Sequence, residues 1–482
     1  MSRHTRRDFL EESIIAVGIT AAAASSAPEL IAEPSGRSSS NDTIRHAVIG
    51  CRIRGRVHAR EFGRQDGVEV AYVCDPDEKL VEELANSVEE QQGRRPKTTR
   101  DLREIMDDKS IDTVSVAAPN HWHALAAIWA MQSGKDVYVE KPVSHNVTEG
   151  RRIVQVARKT GQICQSGTQR RSIGYLKSAA KFIQQGKLGE VTLARSIIYG
   201  RRGSIGERGK YEVPKHIDYN LWLGPAKLTA LTRPNLHYDW HWDWNTGNGE
   251  LGNNNIHYVD VCRMLMGITG LGDAVISAGG RLGYVDAGET PNTQVVAHVF
   301  GKQTIVQEVR GMKSDPFSKK FHAGWVIHGT EGFIAESSRF DLDGNKIETF
   351  EGPSENHFAN FIKAVRSRKR EELNADILEG HQSSALCHIA NISNRLGEQA
   401  SPADIIKQLK SRNLHEAVPD AFTRMISHLK DSGVNPEKTK IKIGPLLTID
   451  SANEKFVDNA DANALLSRSY RKPFVVPSEQ EI

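Results

Sequence analysis

The chain has 482 residues, and its 63 Lys+Arg against 60 Asp+Glu leave a formal net charge of only +3. This length exceeds what one hydrophobic core usually holds and predicts two domains, while the balanced charge argues against a nucleic-acid or strongly acidic partner. The five cysteines are odd in number and lack a CxxC spacing, so they indicate buried thiols rather than a disulfide framework or a metal site.

The N-terminus carries the features of an export signal. Arginines precede an apolar stretch at residues 14–24 that is too short to span a bilayer comfortably. Residues 5–10, TRRDFL, look like a twin-arginine signal, which predicts recognition by the twin-arginine export machinery and a periplasmic location. An amphipathic or disordered tail on a cytoplasmic protein is the alternative. Residues 34–42 are predicted to be a flexible polar linker, so residues 1–42 are left outside the fold.

The first predicted strand, residues 47–49, leads into a glycine turn and a helix-compatible segment. Gly50 and Gly55 match the first and third glycines of a GxGxxG dinucleotide fingerprint, whereas Arg52 occupies the second position. A strand–helix turn without a ligand is the alternative. In context the turn predicts a nucleotide site, and its candidate cofactor-binding residues are Gly50, Arg52, Ile53, Arg54 and Gly55.

A second predicted strand, residues 68–74, ends at Asp75, twenty residues after Gly55. In dinucleotide-binding folds a carboxylate there accepts hydrogen bonds from a ribose and repels a 2′-phosphate, so NAD is favoured over NADP. The arginines at positions 52, 54 and 56 act in the opposite direction, because one of them folded over the ribose would make NADP the cofactor.

The next predicted strand, residues 113–119, is followed by a loop and an alanine-rich helix. This succession predicts βαβ units around a parallel sheet. Pro119, Asn120 and His123 are expected to line the nicotinamide pocket at the start of that helix. His121 and His123 form an HxH pair, but no third ligand stands at a metal-binding spacing, so no metal is predicted.

The predicted strand at residues 137–139 is stopped by Glu140, Lys141 and Pro142. Ligands of an open parallel sheet bind at the carboxyl ends of its strands. Proline ends the hydrogen-bond ladder and restricts the residue before it. Lys141 is therefore expected at the ligand edge with a fixed exit direction, and Glu140 beside the cofactor. An ordinary strand-end lysine that faces solvent is the alternative.

The fold predicted from these elements is α/β, with a Rossmann doubly wound parallel sheet over residues 43–165. A second domain, residues 166–482, begins with a predicted helix and a strand at residues 191–199. It is predicted to be α+β, with a large, mostly antiparallel sheet, C-terminal helices and an arm. The arm, residues 467–474, is interpreted as cover for an exposed sheet face between subunits, which predicts a homo-oligomer. The later predicted strands are 273–278, 293–300, 303–310 and 324–329.

A tryptophan cluster in the second domain is a candidate carbohydrate contact. Residues 240–244 carry three of the chain's seven tryptophans at a spacing of two. Flat apolar faces at that spacing suit a sugar ring, and Trp242 and Trp244 are the candidate contacts. Core or interface aromatics are the alternative.

A Gly/Asn-rich loop at residues 245–255 leads into a predicted helix that ends at Gly267. His257 is predicted in the first turn of that helix, where it can accept a proton from a hydroxyl being oxidised, provided the helix end keeps it neutral. Asn253 and Asp260 accompany it as candidate substrate contacts. A buried structural histidine bonded to Asp260 is the alternative.

With these motifs in place, the chain from about residue 43 to the C-terminus resembles the glucose-fructose oxidoreductase, inositol dehydrogenase and MocA family, called Gfo/Idh/MocA. The resemblance rests on the turn at Gly50, the loop at residues 119–123, the Glu140-Lys141-Pro142 motif and the downstream histidine. It implies that Lys141 lies beside the nicotinamide and the substrate hydroxyl. The family commonly has an aspartate four residues before the histidine, whereas Asn253 here cannot exchange a proton, so any relay must differ.

The predicted function is reversible hydride transfer between NAD or NADP and a secondary hydroxyl carbon of a sugar, polyol or related carbohydrate. Lys141 stabilises the developing alkoxide and His257 accepts the proton, each contributing on the order of 10²-fold. One alternative is a glycoside hydrolase or lyase that recycles a tightly bound NAD and needs no electron acceptor. Another is a non-catalytic carbohydrate-binding relative whose cofactor site has decayed at Arg52 and Asn253.

Overall fold

The computed structural model of the chain describes residues 43–317 and 322–482. The export signal and linker predicted for residues 1–42 lie outside the described residues. Residues 43–482 group into one unit by their contacts. Within the described ranges, no helix combines the length and the apolar character needed to cross a membrane.

Six parallel strands build the first sheet: β1 (Ile44–Ile49), β2 (Val68–Cys74), β3 (Lys97–Thr99), β4 (Thr113–Val116), β5 (Asp136–Val139) and β6 (Cys164–Ser166). Their order is β3-β2-β1-β4-β5-β6. The central strands are near-continuous apolar runs because both faces of the sheet are covered, as the full burial of Val48 and Val137 shows. The strand order reverses between β1 and β4, and the carboxyl ends of the strands at this switch point form the usual ligand edge.

Five helices connect these strands: α1 (Ile53–Phe62), α2 (Glu78–Gln92), α3 (Arg103–Asp107), α4 (Asn120–Gln132) and α5 (Val147–Thr160). Local sequence sets their ends. Asn146 caps α5 by accepting a hydrogen bond from the Glu149 N–H, and Gly161 ends the helix in the left-handed conformation. The predicted doubly wound parallel sheet is thereby confirmed. The predicted domain boundary at residue 165 falls within β6.

The second sheet has twelve strands. They are β7 (Val191–Ile198), β8 (Ala274–Gly280), β9 (Thr293–Phe300), β10 (Gln303–Arg310), β11 (Ala323–Gly329), β12 (Gly332–Ala335), β13 (Ser338–Phe340), β14 (Lys346–Thr349), β15 (Glu398–Gln399), β16 (Lys442–Ile443), β17 (Leu447–Asp450) and β18 (Lys455–Phe456). Their order is β14-β13-β12-β11-β7-β10-β9-β8-β16-β15, with β17 beside β8 and β18 beside β17. The pairs are antiparallel except β7 with β10, which confirms the predicted mostly antiparallel sheet.

Helices cover one face of this sheet through a large apolar cluster. The helices of the second part are α6 (Gly174–Gln184), α7 (Tyr219–Leu223), α8 (Ile256–Met266), α9 (His357–Ser367), α10 (Ile377–Arg395), α11 (Pro402–Ser411), α12 (Ala417–Asp431) and α13 (Ala460–Ala464). Val259 of α8 and Leu386 of α10 are fully buried in the same cluster as Val296 of β9. The sheet therefore fixes the position of α8, which carries His257.

The opposite face of the same strands is covered by α11 and α12. Ile405 and Phe422, both fully buried, share a cluster with Val295 and Val306 of the sheet. The chain thus covers this face itself along β7 to β10. The same cluster contains no residue of β11–β14, and the homo-oligomer based on an exposed sheet face stays a prediction.

The C-terminal segment lies against the chain's own first sheet and helices. Phe474 is only 1% exposed and packs edge-on against Trp122 of α4, with ring centroids 5.5 Å apart. The Tyr470 hydroxyl donates to Glu149 at 3.0 Å. Because burial of a large apolar side chain stabilises by about 1.5–3 kcal/mol, this segment is held within the chain and does not extend as the predicted arm between subunits.

Candidate active site

The glycine turn after β1 leaves no room for side chains. Gly50 has φ +91°, and a Cβ built on it would lie 2.6 Å from the Ala117 carbonyl carbon at the end of β4. A Cβ on Gly55 would lie 1.7 Å from the Gly50 carbonyl oxygen. The two glycines therefore allow β1, β4 and α1 to meet closely, as a nucleotide-binding turn requires.

We expect Gly50→Ala to destabilise the protein and to abolish nucleotide binding. The left-handed backbone costs an L-residue about 1–2 kcal/mol, and the contact with Ala117 adds about 1–3 kcal/mol of overpacking. Urea unfolding and nucleotide titration measure both effects. Gly134→Ala is the matched control, because Gly134 has φ +83° and nothing within 4 Å of its added Cβ. Equal losses in the two variants would contradict the contact.

The Asp75 carboxylate closes the turn from the end of β2. Its Oδ2 accepts from the Cys51 N–H at 2.8 Å and its Oδ1 from the Asp77 N–H at 3.0 Å. Burial raises the pKa of Asp75, and the two N–H donors act against that rise. The structure thus places Asp75 where the sequence predicts a ribose contact, with its orientation fixed by the turn.

The three arginines of the turn go to different partners. Arg54 donates to Glu140 Oε1 from Nε (2.9 Å) and Nη2 (2.6 Å), and Arg56 pairs with Glu83. Burial lowers the pKa of Arg52, while the charge of Asp239 favours its protonated form. Arg52 therefore lies close to Asp239 and Asp75, whereas Glu140 and Glu83 are the partners of the other two arginines.

Glu140 is a structural link between α1 and the end of β5. The side chain is buried and also accepts from His58 Nε2 at 3.1 Å. Burial raises the pKa of Glu140, but the Arg54 charge and the His58 hydrogen bond outweigh it and hold the pKa well below its usual range. Glu140 is therefore an anion next to Lys141 in the chain, and its carboxylate is bonded to Arg54 and His58.

Lys141 projects from the end of β5 toward the second sheet. Its Nζ donates to the Asn253 carbonyl oxygen at 2.6 Å, and the Lys141–Pro142 peptide is cis. Burial lowers the pKa of Lys141, partly offset by the nearby Glu140 charge. A lysine bonded to a neutral carbonyl, and in no ion pair with a described residue, keeps a positive charge that can stabilise an alkoxide.

The segment before His257 is helical from Gly249 onward and contains a π-turn at Leu251–Asn255. This corrects two predictions, the loop over residues 245–255 and the place of His257 in a first helical turn. The Asn255 amide oxygen accepts from Ser196 Oγ (2.8 Å) and Gln307 Nε2 (2.7 Å), which anchors the turn to the sheet. π-Turns often occur at functional sites, and here the Asn253 carbonyl binds Lys141.

His257 is half-buried and lies near Lys141. Burial lowers the pKa of His257 well below its usual value, and the Lys141 and Arg170 charges lower it further. Its Nδ1 and the Nδ2 of Asn253 are buried and have no hydrogen-bond partner among the described residues. Buried polar atoms without a protein partner are rare in folded proteins, so these two atoms are candidates for hydrogen bonds to a ligand.

Asp260 is not brought to this site. Its carboxylate is fully buried and accepts from Arg171 Nε (2.9 and 3.0 Å) and Ser383 Oγ (2.6 Å). No His257–Asp260 hydrogen bond forms in the described structure. One helical turn separates the two residues, and the ion pair with Arg171 turns Asp260 toward α10.

The tryptophan cluster does not form one apolar face. Residues 239–242 are a 3₁₀-helix, so the spacing of two does not put Trp242 and Trp244 on one side. Trp242 is buried with Ile205 and lies under the Arg202 guanidinium, 5.6 Å from ring centroid to Cζ. Trp244 is half-buried beside Arg395. The structure thus favours packing for Trp242.

The helix-start residues of α4 bind backbone and the second domain. Asn120 Nδ2 donates to Asn248 Oδ1 at 2.9 Å, while His121 and His123 are buried against carbonyl oxygens. His123 lies 2.6 Å from the Pro142 oxygen and 2.7 Å from the Ala118 oxygen. Their hydrogen bonds hold the ligand edge together, and the lining of the nicotinamide pocket by Pro119, Asn120 and His123 stays a prediction. Within the described ranges no cluster of metal-ligating side chains forms.

The connecting segment, residues 199–248, crosses from β7 to the end of β2. Ile217 forms a β-bridge with Asp77, and His237 Nε2 lies 2.8 Å from Asp77 Oδ2. Two backbone hydrogen bonds flank the bridge, Glu78 N to His216 O (3.1 Å) and Asp218 N to Pro76 O (3.0 Å). The segment therefore covers the edge of the cleft where Asp75 would meet a ribose.

Sequence reasoning missed His241 and an ion pair in this cleft. Arg202 Nη2 donates to the buried Glu250 at 2.9 Å. His241 Nδ1 lies 2.5 Å from the Tyr238 oxygen, and burial, with the Lys141 and Arg202 charges, lowers its pKa to about 3. His241 lies within the tryptophan cluster at residues 240–244, which drew attention to the tryptophans and not to the histidine. Arg202 and Glu250 lie in no motif.

The buried histidines make stability depend on pH. Burial lowers the pKa of His121 and of His388 to about 3, whereas an unfolded histidine titrates near 6.5. The unfolded state therefore binds more protons between these values, so the free energy of unfolding falls as pH drops below about 6.5. Each such histidine contributes about 1.4 kcal/mol per pH unit. The raised pKa of Asp75 and of Glu149 acts in the opposite sense and offsets part of this. Urea unfolding at pH 7.5, 6.5 and 5.5 tests this, and equal stabilities would contradict it.

Two protein-family models match this chain. A model described as "Oxidoreductase family, NAD-binding Rossmann fold" matches residues 44–168. A second model of the same family, described as its C-terminal alpha/beta domain, matches residues 205–418. Both carry the Gfo/Idh/MocA label. The predicted NAD(P)-binding Rossmann domain is thereby confirmed.

Curated relatives match over a short part of the chain. A glycosyl hydrolase family 109 protein of Shewanella pealeana is 34% identical over 127 residues, which are 26% of this chain and 28% of that protein. An alpha-N-acetylgalactosaminidase of Shewanella oneidensis is 33% identical over the same length, with the same coverage. The chain thus aligns with less than a third of the length of these relatives.

A solved structure shows the same fold. The WlbA dehydrogenase from Bordetella pertussis, crystallised with NADH and UDP-GlcNAcA, superposes with a TM-score of 0.52 and 20% identity. The match covers 71% of this chain and 94% of that one.

Proposed function

Because the chain belongs to the Gfo/Idh/MocA oxidoreductase family, we propose that it transfers a hydride between NAD and a secondary hydroxyl carbon of a carbohydrate. The observation that carries this is the Lys141 Nζ held at 2.6 Å from the Asn253 carbonyl, near a His257 whose Nδ1 has no partner among the described residues. A fixed cation beside a neutral imidazole is what removal of a hydroxyl proton needs.

The turn after β1 fits a dinucleotide. Helix α1 begins at Ile53 with no side-chain cap and no acidic residue in its first turn, so its N–H groups suit a pyrophosphate. Gly50 and Gly55 allow the close approach, and Asp75 with Arg52 would meet the ribose. When bound, NAD supplies the hydride acceptor. The carboxylate of Asp75 favours NAD over NADP.

The chain's own residues would handle the substrate proton. Lys141 holds negative charge on the hydroxyl oxygen as it develops, and His257 takes the proton at an imidazole that burial keeps neutral. Asn253 acts through two groups. Its carbonyl fixes Lys141, and its unpartnered Nδ2 can donate to a substrate oxygen. A proton relay through its side chain is not needed in this arrangement.

The second candidate function is glycoside cleavage or elimination with a recycled NAD. The connecting segment over the ribose edge favours it, because a covered cofactor exchanges slowly. The names of the relatives from Shewanella also support it, although each matches over only 127 residues, 26% of this chain. In this chemistry the hydride returns to the substrate, so no electron acceptor is consumed.

The first experiment is the nucleotide content of the purified protein. Mass spectrometry of the supernatant after denaturation identifies NAD or NADP, and carbohydrate screening with and without an electron acceptor then follows. Turnover that requires the acceptor supports the dehydrogenase, and turnover without it supports the recycling enzyme. If no nucleotide is released and none binds at millimolar concentration, the non-catalytic carbohydrate-binding alternative replaces both.

The remaining expectations stay proposals with their own tests. Export through the twin-arginine signal predicts loss of periplasmic protein when Arg6 and Arg7 are both changed to lysine. A homo-oligomer predicts a mass in solution above that of one chain.

A further inference from the structure

Two neighbouring arginines at the ligand edge have opposite environments. Both lie in the 3₁₀-helix Gln169–Ser172 that follows β6. Arg171 is buried and pairs with Asp260 (2.9 Å) and Glu379 (3.0 Å). Arg170 is half-buried and forms no ion pair with a carboxylate anywhere in residues 43–317 and 322–482. One arginine of the doublet is therefore neutralised and the other is not.

Arg170 is held in place by an aromatic residue beside His257. Its Nη2 donates to the Tyr258 hydroxyl at 3.1 Å, and its Cζ lies 4.6 Å from the centroid of the Tyr258 ring. No hydrogen bond from Nε or Nη1 is found in the described structure. The guanidinium thus has a fixed orientation and unused donors. Its positive charge lowers the pKa of the His257 imidazole.

The acidic side chains around this site are already matched by arginines. Arg54 pairs with Glu140 at 2.6 Å, and Arg202 pairs with Glu250 at 2.9 Å. Asp260 pairs with Arg171. Lys141 and Arg170, the cations that act most strongly on His257, form no ion pair with a carboxylate within the described residues, whereas Arg52 lies near Asp239 and Asp75. In the proposed reaction Lys141 stabilises the substrate alkoxide. Arg170 has no such role there and no carboxylate partner among the described residues.

Building on the proposed function, we propose that the carbohydrate substrate carries a carboxylate, as in a uronic acid, and that Arg170 binds it. A planar guanidinium with free donors matches a carboxylate in geometry and charge. A permanent anion also lowers the cost of placing a substrate among uncompensated cations. Arg170 is thus a specificity-determining residue, and the oxidised carbon lies elsewhere on the sugar, beside Lys141 and His257.

The test compares matched substrates on the protein as purified. The panel holds a glucoside, the corresponding glucuronide, the methyl ester of that glucuronide and a glucoside 6-sulfate. The native protein is expected to prefer the glucuronide in kcat/KM. In Arg170→Gln this preference over the glucoside is expected to fall by about 10- to 100-fold, because a charged hydrogen bond is lost. The effect falls mainly on KM, and Arg170→Lys recovers part of it.

Controls separate binding from folding and from turnover. Arg201→Gln changes an exposed arginine whose side chain forms no hydrogen bond or ion pair with residues 43–317 and 322–482, and it is expected to keep the native preference. Calorimetry with glucuronate and glucose measures binding without any turnover. A neutral glucoside preferred over the glucuronide, or an unchanged preference in Arg170→Gln, would overturn the proposal while leaving the oxidoreductase proposal intact. A sulfate preferred over the carboxylate would also overturn it.

Discussion

Lys141→Met is expected to lower kcat by about 10²- to 10⁴-fold while nucleotide binding stays close to native. Methionine keeps the length and the apolar part of the side chain, but it removes the ammonium that the Asn253 carbonyl holds at 2.6 Å. The loss should appear equally in kcat and kcat/KM, because the alkoxide charge exists only near the transition state. Steady-state kinetics and nucleotide titration measure the two effects.

Lys302→Met is the matched control for this variant. Lys302 is exposed and lies between β9 and β10. Its side chain forms no hydrogen bond or ion pair with the residues that the structure describes. Its substitution should leave kcat within about twofold, as expected for a surface position. Native turnover in Lys141→Met would remove the lysine from the reaction and would favour the non-catalytic alternative.

His257→Asn is expected to lower kcat/KM by a similar factor, about 10²- to 10⁴-fold. The native enzyme should also show a flat kcat/KM between pH 8 and about pH 6, where an ordinary histidine near 6.5 would already be protonated. The rate stays flat in this range because burial and the Lys141 charge both favour the neutral imidazole and hold the pKa of His257 well below its usual value. Only at lower pH should protonation remove the proton acceptor.

The two catalytic variants are coupled in a way that pH profiles detect. Lys141→Met removes a cation that lowers the His257 pKa, so the acid limb of the residual activity should move to higher pH. His322→Asn, at an exposed histidine, controls for substitution of an imidazole elsewhere. An acid limb that stays in place in Lys141→Met would mean that the two side chains do not share one site.

Much of the ligand edge could be predicted from the sequence, because its signals are local. A glycine that needs φ +91° and a short strand before it mark the turn at Gly50, and Pro142 marks the end of β5. Strands β9 and β10 agree with the predicted 293–300 and 303–310, because alternation along a hairpin is a property of neighbouring residues.

The positions that sequence did not yield depend on distant partners. The Gly/Asn composition of residues 245–255 is typical of a loop. Ser196 and Gln307 nevertheless bind the Asn255 side chain, and Leu251–Asn255 forms a π-turn. Asp260 has the helical spacing that would place it beside His257, but its carboxylate forms an ion pair with Arg171 instead. Arg170 lies in no motif, and His241 lies in the tryptophan cluster without any local sign of its own role. Tertiary contacts of this kind have no local pattern.

The helix pair α11 and α12 also bears on how the protein responds to dilution. Because Phe422 and Ile405 bury the outer face of β7 to β10 within one chain, the native state of this part of the sheet requires no association step. Its packing should then be independent of protein concentration, since no partner binding contributes to it by mass action. A face covered in this way stays covered at the very low concentrations at which the interface of an obligate dimer would come apart.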